Sequence, residues 1–190
     1  NDVPMDVFDG LDLGPRRASG HTDIPRMKQG GMGAQFFAAY VAPTHIDKGT
    51  SARRALQMID AIRTGIVARH PETFSPATTA GEILRARKSG KIAALIGIEG
   101  GHAIEGDLHL LRAFYDLGAR YITLTHTKDV GWAGSSAEPA NTGLTDLGRQ
   151  VIAEMNRLGM MVDIAHVSDK TFWDVIETSR APVFSSHSAA

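Results

Sequence analysis

Apolar positions along this chain follow two rhythms. Short runs with little polar interruption occupy Gly33–Val41, Ile92–Ile98, Arg120–Thr125, Met160–Ala165 and Pro182–Ser186, each bounded by glycine, proline or polar residues, and these predict strands. Between them, apolar residues recur at helical spacing. Thr50–His70 sets Ala55, Met58, Ile59, Ile62, Ile66 and Val67 on one stripe, and Ala80–Lys88, Leu108–Leu117, Thr145–Leu158 and Lys170–Ser179 repeat the pattern. The run Ile92–Ile98 does not alternate with polar residues, as expected of a strand covered on both faces in a parallel sheet flanked by helices. The fold class is therefore α/β.

Two α/β architectures fit this alternation, an open doubly wound sheet and a (β/α)8 barrel. The open sheet ordinarily carries a glycine-rich phosphate turn after its first strand. Here Gly97-Ile98-Glu99-Gly100-Gly101 sets a carboxylate where a phosphate would be repelled, which favours the barrel. A complete TIM barrel needs eight strands and typically about 250 residues. With five strand candidates, residues 1–190 are expected to form one partial barrel domain, the N-terminal half or so of a parent chain longer at both ends. Ala133–Gly143, rich in small residues, reads as a long loop after a strand.

Composition narrows the chemistry. Twenty Lys and Arg stand against 21 Asp and Glu, so a net charge of −1 offers no field for nucleic-acid phosphates or anionic lipid, and no nucleic-acid partner is expected. No apolar stretch approaches the roughly 20 residues that span a bilayer, so no membrane segment is expected either. The chain has no cysteine, which excludes disulfides and thiolate metal sites and leaves His, Asp and Glu to hold any metal. In a parallel barrel, chemistry collects at the C-terminal ends of the strands. Glu99, His126, His166 and His187 each follow a predicted strand, so successive strand ends carry oxygen and nitrogen donors suited to zinc or a similar divalent ion. These are more donors than one zinc with an open position requires. A carboxylate bridging two metals resolves the excess, with Glu99 as the natural bridge and a bridging hydroxide as nucleophile.

Seven blocks then fall into a familiar order. Asn1-Asp2-Val3-Pro4, Gly20-His21-Thr22-Asp23-Ile24-Pro25, Gly33-Ala34-Gln35-Phe36-Phe37, Ile98-Glu99-Gly100-Gly101-His102, Thr123-Leu124-Thr125-His126, Asp163-Ile164-Ala165-His166-Val167-Ser168 and Phe184-Ser185-Ser186-His187-Ser188 together resemble the membrane (renal) dipeptidase family along the whole chain. The resemblance implies an amidohydrolase-like, metal-dependent (β/α)8 barrel with two Zn2+ per active site. It implies hydrolysis of dipeptides, some members accepting a D-residue at the C-terminal position or a β-lactam. By position it implies Asp2, Glu99, His166 and His187 as metal ligands, Asp2 belonging to a His-x-Asp whose histidine would precede Asn1. Glu99 is then the bridge and takes part in catalysis with His126, which contacts substrate and the tetrahedral intermediate. The family also uses an arginine and a late aspartate downstream of His187, and neither occurs before Ala190. A related amidohydrolase acting on N-acyl amino acids or cyclic amides, and a non-catalytic relative or fragment, are the alternatives. Family members are often dimers, so a homodimer is implied.

The resemblance also redirects one reading. His21-Thr22-Asp23 is itself a His-x-Asp pattern, but it corresponds to a second block of the family, so Asp23 is read as a cap or turn residue before Pro25. His102 is read as structural at the start of a helix, and His45, His70 and His109 as solvated. Trp132 is expected either to bind substrate by shaping its pocket or to cover the barrel mouth. Asp163 is expected either to accept a hydrogen bond from a ligand histidine or to make a buried structural one. The absence of cysteine suits cytoplasm and periplasm alike, with cytoplasm slightly preferred.

Overall fold

The structure is a computed structural model and describes residues 1–188. In chain order, helices α1 (Val3–Phe8) and α2 (Ile24–Gln29) precede strand β1 (Ala34–Tyr40). Helices α3 (Thr44–Asp47) and α4 (Ser51–Asp60), the latter continuing as a π-helical segment over Ala61–Ala68, lead to β2 (Phe74–Pro76). There follow α5 (Ala80–Lys88), β3 (Ile92–Glu99), a 3-10 turn (Gly101–Ile104), α6 (Leu108–Asp116), β4 (Ala119–Thr123), α7 (Asp146–Leu158), β5 (Met161–Asp163) and α8 (Asp169–Thr178). The strand and helix alternation expected from the sequence is present.

Local chemistry starts the helices where the periodicity placed them. From α5 onward each is opened by a side chain that accepts a backbone N–H: Thr79 in a capping box with Glu82, then Asp107, Thr145 and Ser168. Each such cap contributes about 1 kcal/mol. Gly159 ends α7 at φ 77°, a conformation that costs glycine little.

Three expectations are corrected. The single helix over Thr50–His70 changes hydrogen-bond pattern at Ala61, because an apolar stripe reports which face is buried and not whether bonds close at four or five residues. A Cβ on Gly65 would lie 2.5 Å from Val7 Cγ1, so the π-helical segment and α1 approach closely there. Phe74–Pro76 is a strand although it has no apolar run, since pairing with β3 supplies what its own sequence lacks: Phe74, Ser75 and Pro76 register parallel with Ile92, Ala93 and Ala94. Conversely, Pro182–Ser186 is reduced to one parallel bridge between Phe184 and Asp163, held by Ile164 N–H to Phe184 C=O and Phe184 N–H to Val162 C=O.

The chain divides into two compact units, Asn1–Tyr40 with Leu56–Ile96, and Val41–Ala55 with Gly97–Ala190. In the first, β3 pairs with β2 and also receives the chain at Gly33, whose C=O accepts from Ala93 N–H. Ala77, Ala86, Ala93 and Leu95 form a dry cluster against Phe36 and Ile83, and Phe37 meets Phe74 edge to face at 5.8 Å. In the second, β4 and β5 run parallel with Thr123 beside Asp163, over a core that includes Leu111, Phe114, Val151, Ile152 and Met155. Full burial of each such side chain contributes roughly 1.5–3 kcal/mol. Parallel pairing without stagger brings the C-terminal ends of these strands to one level, which is what the site uses.

Candidate metal centre

All four strand-end residues lie in the second unit, and the fold brings them together. Glu99 is the last residue of β3, 8% exposed, with its backbone C=O bonded by Val41 N–H. Its Oε1 lies 3.2 Å from His166 Nε2, 3.7 Å from His187 Nε2 and 3.8 Å from His126 Nε2. The rings pack on one another, His126 on His166 with centroids 4.4 Å apart and His166 on His187 at 4.7 Å. Glu99, His166 and His187 each offer a donor atom within 4.8 Å of the others. A carboxylate and two imidazoles are the donors that divalent zinc takes, so the group fits a metal.

The backbone is shaped to hold these side chains. Gly97 lies against the Tyr121 ring, where a Cβ would come 2.0 Å from Cζ, so only glycine lets β3 and β4 approach just before the site. One residue beyond Glu99, Gly100 turns at φ 111°, and a Cβ on Gly101 would strike Leu124 C=O at 2.3 Å. The glycines after Glu99 are thus a packing requirement. His166 itself sits at φ 67°, a left-handed conformation that non-glycine residues seldom adopt. Its carbonyl is fixed by Thr125 Oγ1 at 2.9 Å and Ser136 N–H at 2.8 Å, which hold the turn that aims the ring at Glu99. The loop after His126 is tied similarly. Ser135 donates its hydroxyl to His126 C=O at 2.5 Å, while Asp129 accepts from Ser135 N–H and from Thr142 Oγ1.

Other residues singled out in the sequence fall elsewhere. Asp2 stands exposed at the start of α1 in the first unit without a side-chain cap bond, and the converging group of three does not include it. Trp132 is 1% exposed and packs against Gly101. Asp23 is the cap of α2. Despite its burial, the N–H groups of Arg26 and Arg17 hold its carboxyl below the usual range. His102 is buried with Nε2 2.9 Å from Val41 C=O, and burial pushes its imidazole below the ordinary value, consistent with a structural role. His109 is exposed, as expected, and His45 is half-buried against Thr50 Oγ1. His70 departs from expectation: its side chain is 12% exposed and bonds Asp12 at 2.8 Å, a clamp between segments 58 residues apart that no local pattern encodes.

Sequence reasoning passed over the residues that support the site, Thr125, Ser135, Asp129 and Ser186. The positions of Thr125 and Ser186, directly before His126 and His187, could have marked two of them.

Comparison with known proteins decides the family. A profile of the membrane dipeptidases, peptidase family M19, matches residues 1–190. The chain belongs to the membrane dipeptidase family. Dipeptidase 3 of Mus musculus is 42% identical over 177 residues, covering 90% of this chain and 35% of its own, and Dipeptidase 3 of Rattus norvegicus matches to the same extent. The chain thus spans about a third of the length of these curated relatives. Among solved structures, a metallo peptidase from Rhodobacter sphaeroides liganded with a phosphinate mimic of the dipeptide L-Ala-D-Ala is similar with a TM-score of 0.85 and 28% identity. That match covers 99% of this chain and 63% of the other. A second metallo peptidase, dipeptidase AC, gives 0.86 and 28% over 99% of this chain and 61% of its own. The fold is that of these dipeptidases, as the sequence led us to expect, and for a metallopeptidase family the converging carboxylate and imidazoles are donors of the appropriate kind.

Proposed function

We propose that the chain is the metal-site portion of a zinc-dependent dipeptidase that hydrolyses the amide bond of dipeptides, including those ending in a D-residue. One observation carries the reading: Glu99 stands among three imidazoles, each with Nε2 within 3.8 Å of its Oε1. In this reading the site would hold two zinc ions. Glu99 would serve both, His166 and His187 would hold one, and by the family resemblance Asp2 would be a ligand of the other. Bound zinc supplies Lewis acidity and a water acidified to about pKa 7, so no serine or cysteine nucleophile is needed.

The chain's own residues do the rest. His126, beside Glu99 but outside the group of three, would donate a hydrogen bond to the substrate carbonyl oxygen as negative charge develops there. The 8% exposure of Glu99 lowers the local dielectric around its carboxylate, which strengthens electrostatic interactions there. The mimic of L-Ala-D-Ala held by the Rhodobacter relative supports dipeptides as the substrate class.

The test uses the full-length protein, zinc-loaded, with L-Ala-L-Ala, L-Ala-D-Ala, N-acetyl-alanine and a cyclic amide as substrates, and light scattering for the homodimer. Release of free alanine from the dipeptides alone is expected. Preferential turnover of the acyl or cyclic compounds would overturn the substrate assignment.

A further inference from the structure

One hydroxyl, that of Ser186, stands between a fully buried carboxylate and a ring of the metal centre. Asp163 is 0% exposed and accepts four hydrogen bonds. Oδ1 takes Ala165 N–H at 3.1 Å and Ser186 N–H at 2.9 Å, and Oδ2 takes Thr123 Oγ1 at 2.5 Å and Ser186 Oγ at 2.6 Å. The same Ser186 Oγ lies 2.8 Å from His187 Nδ1. On the far side of that ring, His187 Nε2 lies 2.7 Å from His166 Nε2 and 3.7 Å from Glu99 Oε1.

Counting protons gives the chain a direction. A serine hydroxyl has one proton and two lone pairs. As a carboxylate, Asp163 offers acceptors only, so the Ser186 proton points to Oδ2. Only a lone pair of Oγ is then left for His187, and Nδ1 must be the nitrogen that carries the ring proton and donates it. A neutral imidazole protonated at Nδ1 has a bare Nε2, and Nε2 is the atom that faces Glu99 and His166.

We propose that Asp163, acting through the hydroxyl of Ser186, is a positioning residue that fixes the tautomer and orientation of His187 and so presents its Nε2 lone pair to the metal. The proposal rests on the metal-centre reading above. It differs from the direct carboxylate contact common behind metal-binding histidines, since a hydroxyl is interposed. The arrangement also explains why a buried carboxylate has one partner on β4 and two on the segment that carries His187: it sets the ring's position relative to the strands. A purely structural Asp163 would staple the same segments, but the staple survives loss of the Ser186 hydroxyl, because Ser186 N–H keeps its bond to Oδ1.

Two measurements on the full-length protein separate these roles. Histidine 15N NMR of metal-free protein reads the tautomer, and competition with a chromophoric chelator reads zinc affinity. Wild type is expected to show the Nδ1–H form of His187. Ser186→Ala should lose that bias and weaken zinc binding roughly 10–100-fold while the metal-free protein stays folded with a lowered melting temperature, and Ser186→Thr should restore affinity to within about threefold. Asp163→Asn, which offers Ser186 a donor, should turn the hydroxyl toward Nδ1 and shift the ring toward Nε2–H. An Nε2–H ring in wild type, or zinc affinity in Ser186→Ala within about twofold of wild type, overturns the proposal. If wild type binds no zinc, it is the metal-centre reading that fails, and the tautomer measured without metal still decides the relay.

Discussion

His70 meets Asp12 at 2.8 Å in the first unit, and His166 meets Glu99 at 3.2 Å in the second. The groups and distances are alike, yet the surroundings give them different work. Asp12 also binds the Arg69 guanidinium at 2.9 Å and Gly14 N–H at 2.9 Å, so cation and backbone satisfy it where it stands. Around Glu99 three imidazoles crowd one carboxylate, and one of their backbones is held left-handed to do it. A clamp has its charge matched by the protein. A ligand cluster gathers several lone-pair donors around one point, where a single cation can engage them together.

The largest test of this contrast is Glu99→Ala in the full-length protein. Stoichiometric zinc and dipeptide turnover should both be lost, whereas Asp12→Asn should leave both intact; full activity in Glu99→Ala would remove the bridge assignment. Next, His126→Ala should lower turnover by roughly a hundredfold or more while metal content stays at the wild-type level. Loss of metal in that variant, measured by elemental analysis, would make His126 a ligand instead.

On the clamp side, the effects are in stability. The Gly14 N–H first, then His70 and Arg69, hold the Asp12 carboxyl below its ordinary value of 3.8. The folded form is therefore favoured by ionised Asp12 above that value, and the gain is lost as pH falls through the lowered one. Asp12→Asn should flatten this acid limb and cost on the order of 1 kcal/mol at neutral pH, discounted for an exposed side chain, as read by urea unfolding.

The smallest effect is expected at Glu154, which Arg157 and Arg112 hold down to about 2. Its contribution is present above 4.5 and fades as pH drops toward about 2. Because both arginines are solvent-accessible, Arg157→Gln should lower the urea-unfolding midpoint only slightly, and less in high salt.

Much of this was legible beforehand because it is local. The unbroken Ile92–Ile98 run announced a doubly covered strand, and Glu99, His126, His166 and His187 stood at strand ends, where side chains of a parallel sheet converge. What escaped was whatever depends on a distant partner. Phe74–Pro76 becomes a strand only against β3, and half-buried His70 is paired with Asp12 from a distant segment.

The sequence by itself determined the alternation of strands and helices, the exclusion of thiolate chemistry and the identity of the donors, since these follow from side-chain periodicity and composition. Tertiary structure alone decided which donors meet, how His166 is turned and which way the proton on His187 points. Those depend on register between strands and on hydrogen bonds between residues far apart in the chain, and a lone pair has no direction until its partners are in place.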